Sequence, residues 1–169
     1  MMDKKLEQAF NVQINKELYS EYLYLAMKAV FAELKLTGFV NWMDVQVQEE
    51  RAHAMGMYDY VTTRNNHLEL GAIDKPELKG TTPLEIFEQI LEHEEYVTSC
   101  INSLMDVAEE VRDRAAVSFL DWYLKEQVEE ESNVGTVLAK LRLIGGDKQA
   151  LFNLDKELAT RTFVAPVIG

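Results

Sequence analysis

The chain has 169 residues, enough for one domain with a sizeable core and too few for two of ordinary size. Apolar residues make up 47% and charged residues 27%, the balance of a folded protein and not of a disordered one. With 17 Lys and Arg against 29 Asp and Glu, the net charge of −12 disfavours nucleic acid and anionic membranes as partners and favours cations.

The opening MMDKKLEQAF lacks the apolar core of a signal peptide, and no run of 18 apolar residues follows, so a cytoplasmic protein is expected. From Lys4 to about Leu36 neither Gly nor Pro interrupts the chain, which predicts a first helix stopped by Gly38 in the left-handed conformation. A second helix is predicted from Phe39 to about Asn65, interrupted only by Gly56. The one long irregular stretch then runs to Thr82, Pro83 and Glu85, which read as a helix entry: capping hydroxyl, Pro at the first helical position, early acid. Between Pro83 and Leu143 composition places no break. A one-residue slip in the heptad phase, from Phe87, Glu94, Ile101 and Ala108 to Ala116, Tyr123, Glu130 and Val137, puts a tight turn near Arg112–Arg114. A short fifth helix over about Asp147–Ala159, with Asp147 as N-cap, precedes an apolar tail without readable chemistry. The expected organisation is one domain over 1–160 and a tail over 161–169. Cys100 cannot pair within the chain and reads as a small buried hydrophobe, with no activating partner evident in the sequence.

Four long helices predict an all-α bundle. A helix of about 27 residues spans roughly 40 Å, and the extended stretch between His67 and Thr82 can reach roughly 50 Å. Helices two and three can therefore run parallel, giving two antiparallel hairpins joined by one long crossover.

The acids on those helices carry the chemistry. The seams read Phe10, Glu17, Tyr24, Phe31; then Phe39, Met43, Gln46, Glu50, His53, Met57, Tyr60; then Phe87, Glu94, Ile101; then Leu120, Tyr123, Gln127, Glu130, Val134, Val137. Each helix thus seats a carboxylate near its middle where a large apolar residue would otherwise stand. Glu17 to Glu50 and Glu94 to Gln127 are both 33 positions apart, so each hairpin offers one Glu and then a polar pair at i and i+3. Within KEQVEEES, Gln127 and Glu130 point inward, Glu126 and Glu129 flank the seam, and Glu131 is expected in solvent. Burying one uncompensated carboxylate costs several kcal/mol, against a domain stability of about 5–15 kcal/mol. No Lys or Arg lies on the seams, so compensation must come from protons or bound cations. A pair of metal ions bridged by Glu50 supplies it. His67, in the crossover, is expected in solvent, and His93, about 100° off the seam, is expected beside the centre or at the surface without ligating. Trp42 and Trp122 read as packing or subunit-contact residues.

The motifs NKELYSEYLYL, QEERAH, HEEYVT and DWYLKEQVEEE together resemble the four helical motifs of the ferritins, most closely the bacterial non-haem ferritins, and the likeness extends through FNLDKELAT. The resemblance implies a ferritin-like bundle with a ferroxidase centre: a first iron held by Glu17, Glu50 and His53, and a second by Glu50, Glu94 and Glu130. It implies a third, weaker iron site at Glu49, Glu126, Glu129 and Glu130, with Gln127 beside the oxygen-binding region and Tyr24 next to the iron pair. It further implies that Fe(II) is oxidised by O2 or H2O2 and that ferric oxy-hydroxide is stored inside a hollow homo-oligomer, a 24-mer cage.

Departures within the family sharpen this. Bacterioferritins carry Glu-x-x-His in the fourth helix where this chain has Gln127-x-x-Glu130, so the second iron should be held more loosely. The position of their haem-ligand methionine is Arg51 here, and no haem is expected. Rubrerythrins need a cysteine-rich iron site, which one cysteine excludes. A diiron oxidase or peroxidase that stores no iron is the competing enzyme. A signalling or scaffold bundle, such as a cytokine, would require a secretion signal, disulfides and apolar seams.

Overall fold

The computed structural model describes residues 1–168; Gly169, the last residue of the expected tail, lies outside the described residues. Five helices follow in order: α1 Lys4–Glu33, α2 Thr37–Thr63, α3 Pro83–Glu110, α4 Arg114–Ile144 and α5 Lys148–Leu158. The expected all-α, ferritin-like architecture of four long helices, one crossover and a short fifth helix is the one found. Among the described residues, no helix is long and apolar enough to cross a membrane.

The helix ends follow local chemistry. Thr82 and Glu85 form a capping box with Pro83 inside it, and Asp113 and Asp147 cap α4 and α5 through their side chains. The stop of α1 corrects the expectation for Gly38. The left-handed residue is Lys35, at φ 61°, and the Leu36 N–H reaches back 3.1 Å to the Phe31 carbonyl. Asn65 and Arg112 end α2 and α3 in the same way, with φ of 56° and 57°.

Gly38 lies inside α2 and serves a different need. A Cβ there would stand 1.6 Å from the Asp155 carbonyl oxygen, so only glycine admits α5 at this distance. The N-cap of α2, Leu36, offers no side-chain acceptor. Asp155 Oδ1 takes that role from α5, accepting from the Gly38 and Phe39 N–H groups at 2.8 and 3.1 Å.

The crossover lies along α1 and α3, tied by side chains to its backbone. Asn11 and Asn15 donate to the His67 and Ala72 carbonyls, and Gln89 accepts from the Lys79 N–H while donating to the Glu77 carbonyl. His67 itself is exposed, as expected.

Two apolar clusters fill the bundle. One gathers Leu23, Met27, Phe31, Phe39, Met43, Phe87, Ile90, Val134 and Leu138, closed at its end by Leu154 and Leu158 of α5. The other gathers Leu6, Phe10, Ile14, Met57, Val61, Val97, Ile101, Leu120 and Tyr123. On every helix the polar seam residues fall between the two, so one buried polar layer divides the core. The order of the clusters along each helix shows that α2 and α3 run parallel and that each hairpin is antiparallel.

Candidate metal centre

The dividing layer is built from one turn of each long helix. Glu17, Glu50, Glu94 and Glu130 are each 1–2% exposed, and His53 is 1% exposed. Ligand atoms of Glu17, Glu50 and His53 lie within 4.8 Å of one another, as do those of His53, Glu126 and Glu130. The i, i+3 spacing on α2 sets Glu50 and His53 on one face, with Glu50 Oε2 3.7 Å from His53 Nδ1, and His53 Nε2 is 3.7 Å from Glu126 Oε1. These separations are too long for hydrogen bonds. Glu50 Oε2 and His53 Nε2 are accordingly buried without a hydrogen-bond partner among the described residues.

Burial dominates the electrostatics. It raises Glu50 well above the ordinary carboxylate range, with the charge of Glu94 adding to it, and raises Glu94 to about 8, with Glu130 adding. Glu17 and Glu130 are raised by burial and partly relieved by His53. Burial alone would lower His53, but Glu126 and Glu50 reverse this and lift it well above the ordinary histidine range. The folded, metal-free layer therefore holds protons that its geometry does not use for hydrogen bonds. A divalent cation bound here would displace such protons and give Glu50 Oε2 and His53 Nε2 the partner they lack. The donor set, carboxylate oxygen with one imidazole, suits Fe(II), Mn(II) or Zn(II), and its oxygens stabilise Fe(III) after oxidation.

A family model described as Ferritin-like domain matches residues 7–144. The chain belongs to the ferritin family. Bacterial non-heme ferritins of Staphylococcus aureus (strain MRSA252) and Staphylococcus saprophyticus are 39% and 40% identical to it over 163 residues, covering 96% of this chain and 98% of theirs. An Archaeoglobus fulgidus ferritin engineered to a closed form superposes with a TM-score of 0.95 at 46% identity, covering 97% of this chain and 100% of that one. The open-pore ferritin of the same archaeon gives 0.93 at 47% identity, covering 95% and 98%.

Around the layer of this ferritin-family chain, the remaining candidate residues take distinct positions. Glu94 joins neither carboxylate group; it accepts from the Tyr24 hydroxyl and, at 3.2 Å, from Gln127 Nε2. Glu126 is half-buried against His53, and Glu129 is exposed. Glu49 is held by Arg161, whose Nη2 donates to Glu49 Oε2 at 2.6 Å. Glu131 departs from its expected place in solvent: it is half-buried and accepts from the Thr98 hydroxyl. His93 stands off the seam, with Nε2 2.8 Å from the Ser20 hydroxyl, its ring edge-on to Tyr24 and its pKa pushed down to about 4 by burial.

Several neighbours of the centre escaped the sequence. Gln13 donates to Glu17 at 2.7 Å, and Gln46 donates to Glu130 at 2.6 Å; Gln46 was on the predicted seam, without a role. Trp122, expected as a packing or subunit-contact residue, does pack, edge-on against His53. The tail does carry chemistry at Arg161, contrary to expectation. Cys100 is buried as expected, but it does have a charged partner, the Lys16 ammonium 3.0 Å from its sulfur.

Proposed function

We propose that this chain is an iron-storage ferritin: it takes Fe(II) as substrate in the polar layer, oxidises it with O2 or H2O2, and stores ferric oxy-hydroxide inside a hollow homo-oligomeric shell of the 24-mer kind, in the cytoplasm. The observation that carries this reading is the pair of orphaned buried atoms, Glu50 Oε2 and His53 Nε2, between carboxylates from four helices. Nothing among the described residues satisfies them, and desolvated polar atoms left unpaired are costly.

Glu17, Glu50 and His53 would hold one ferrous ion, and Glu50, Glu94 and Glu130 the second, so that Glu50 serves both. Two neighbouring ferrous ions deliver an electron pair to one oxidant molecule, which avoids releasing a radical. Glu49, Glu126, Glu129 and Glu130 would form the third, weaker position. Tyr24, through its hydroxyl, fixes Glu94, and Gln127 restrains the other Glu94 oxygen from α4. The net charge of −12 favours delivery of cations.

The test is aerobic titration of the metal-free protein with Fe(II), following oxidant consumption, ferric absorbance and particle mass. Storage requires continued uptake long after the binding positions are filled, in a large shell. A small particle that stops at about two irons per chain, the carboxylate-bundle stoichiometry, would replace storage with a diiron oxidase.

A further inference from the structure

Arg161 follows α5 and returns to the bundle beside the polar layer. Its backbone is fixed by Asn41, whose Nδ2 donates to the Leu158 and Arg161 carbonyls at 3.1 and 2.9 Å. Its guanidinium lies over the Trp42 ring, 4.5 Å from the centroid. From there one nitrogen donates to Glu49 at 2.6 Å, and the other donates to Gln46 Oε1 at 2.7 Å.

The second contact has a consequence one bond further on. Because Gln46 Oε1 is engaged by a donor, the amide must turn its Nε2 inward, where it donates to Glu130 Oε2 at 2.6 Å. One arginine therefore occupies Glu49 directly and an oxygen of Glu130 through Gln46. Both carboxylates are otherwise free to take a cation, and no other Lys or Arg among the described residues pairs with either. The Glu49–Arg161 pair is 19% exposed at each side chain, so the guanidinium has room to leave.

We propose that Arg161 is a tethered competitor for the metal ion of the third position: its side chain holds Glu49 and, by orienting Gln46, Glu130, and an ion takes these oxygens only when the guanidinium swings away. This rests on the metal-binding reading of the layer. Arg161 makes the third position weak and leaves the Glu17, Glu50 and His53 group, which it does not touch, unaffected. Its departure also frees Gln46 to turn Oε1 inward, adding a neutral oxygen where an N–H stood. Arg161 is a positioning residue in this scheme, acting through Gln46 and by occupying Glu49.

The test uses Zn(II), which is redox-silent, titrated calorimetrically into the metal-free assembled protein. In Arg161→Gln the weakest binding step should tighten at least tenfold while the step at Glu17, Glu50 and His53, which Arg161 does not touch, stays within about twofold, since a freed carboxylate pair is worth one to two charge-assisted contacts. Arg161→Lys, which keeps a charge but lacks the fork that reaches both partners, should fall between. Glu49→Gln should remove the weak step in either background. An unchanged or weakened step in Arg161→Gln overturns the proposal. Because Arg161 also braces the chain after α5, zinc-soaked crystals of the unaltered protein give an independent readout. Zinc on Glu49 with Arg161 displaced supports competition, and zinc on Glu49 with Arg161 still bound to it overturns it. Failure of the metal-centre reading is separately visible: the tight steps themselves would be absent, or would be insensitive to Glu50→Ala.

Discussion

Asp155 caps a helix to which it does not belong: from α5 its Oδ1 accepts the Gly38 and Phe39 N–H groups that open α2. These are the second and third positions of α2, the two that an N-cap side chain ordinarily serves. The contact fastens α5 over one end of the bundle and sets the start of the helix that carries Glu50 and His53.

Asp155→Ala should therefore cost about 1–2 kcal/mol, the worth of an N-cap, with an added penalty if the two N–H groups stay buried. Thermal unfolding should begin lower, while the tight zinc-binding steps should be preserved in the folded protein. Gly38→Ala should be worse, because its methyl group has no space against the Asp155 carbonyl. A folded Gly38→Ala variant of unchanged melting temperature would contradict the close approach of α5.

Glu50→Ala should slow initial Fe(II) oxidation by at least ~100-fold, on the order of removing a group that both ions share. Stopped-flow ferric absorbance measures it. Glu130→Ala should weaken the second ion more than the first, and Glu129→Ala should alter stoichiometry or turnover and spare the initial phase. Unchanged initial rates in Glu50→Ala would reject the assignment.

The metal-free protein should lose stability as pH rises. Glu94 is raised from 4.5 to about 8, so folding tightens its hold on a proton. The resulting stabilisation is complete below pH 4.5 and is lost as pH climbs through about 8. His53, also raised in the folded state, contributes with the same sign. Melting temperatures of metal-free protein should fall between pH 5 and 8 by more than those of Glu94→Gln, whose side chain cannot ionise. Zn(II) should reverse the fall, because it replaces protons that the centre gives up.

Tyr24→Phe leaves Glu94 without its hydroxyl donor but preserves the ring against His93. The buried carboxylate then loses one of its few partners. Stability should drop by about 1–3 kcal/mol in the metal-free state and recover substantially on loading with Zn(II). Calorimetry on both states distinguishes this from a loss of aromatic packing, which metal would not restore.

The seams were legible because burial on a helix repeats with the helix: Phe10, Glu17, Tyr24 and Phe31 are all buried, at sevenfold spacing. Thr82 and Asp147 cap as local chemistry dictates, within three residues of their partners. Lys35 was not legible, because a left-handed residue other than glycine is uncommon and Gly38 stood nearby as the better candidate. Arg161 was illegible for a different reason. Its partner Glu49 is 112 positions away, and only the docking of α5 brings them together. Glu131 was assigned to water by its place in a charged run, and Thr98, on the neighbouring α3, drew it in.

The polar layer has a mechanical consequence. By separating two greasy compartments that share no side chain, it leaves the middle turn of every long helix held by hydrogen bonds among acids and amides in place of apolar packing. The two ends should then relax independently in the empty protein and as a single unit in the loaded one, so that cargo doubles as a rivet. Amide hydrogen exchange near Glu50 and Glu94 should be slowed by metal far more than exchange near Phe31 or Ile101.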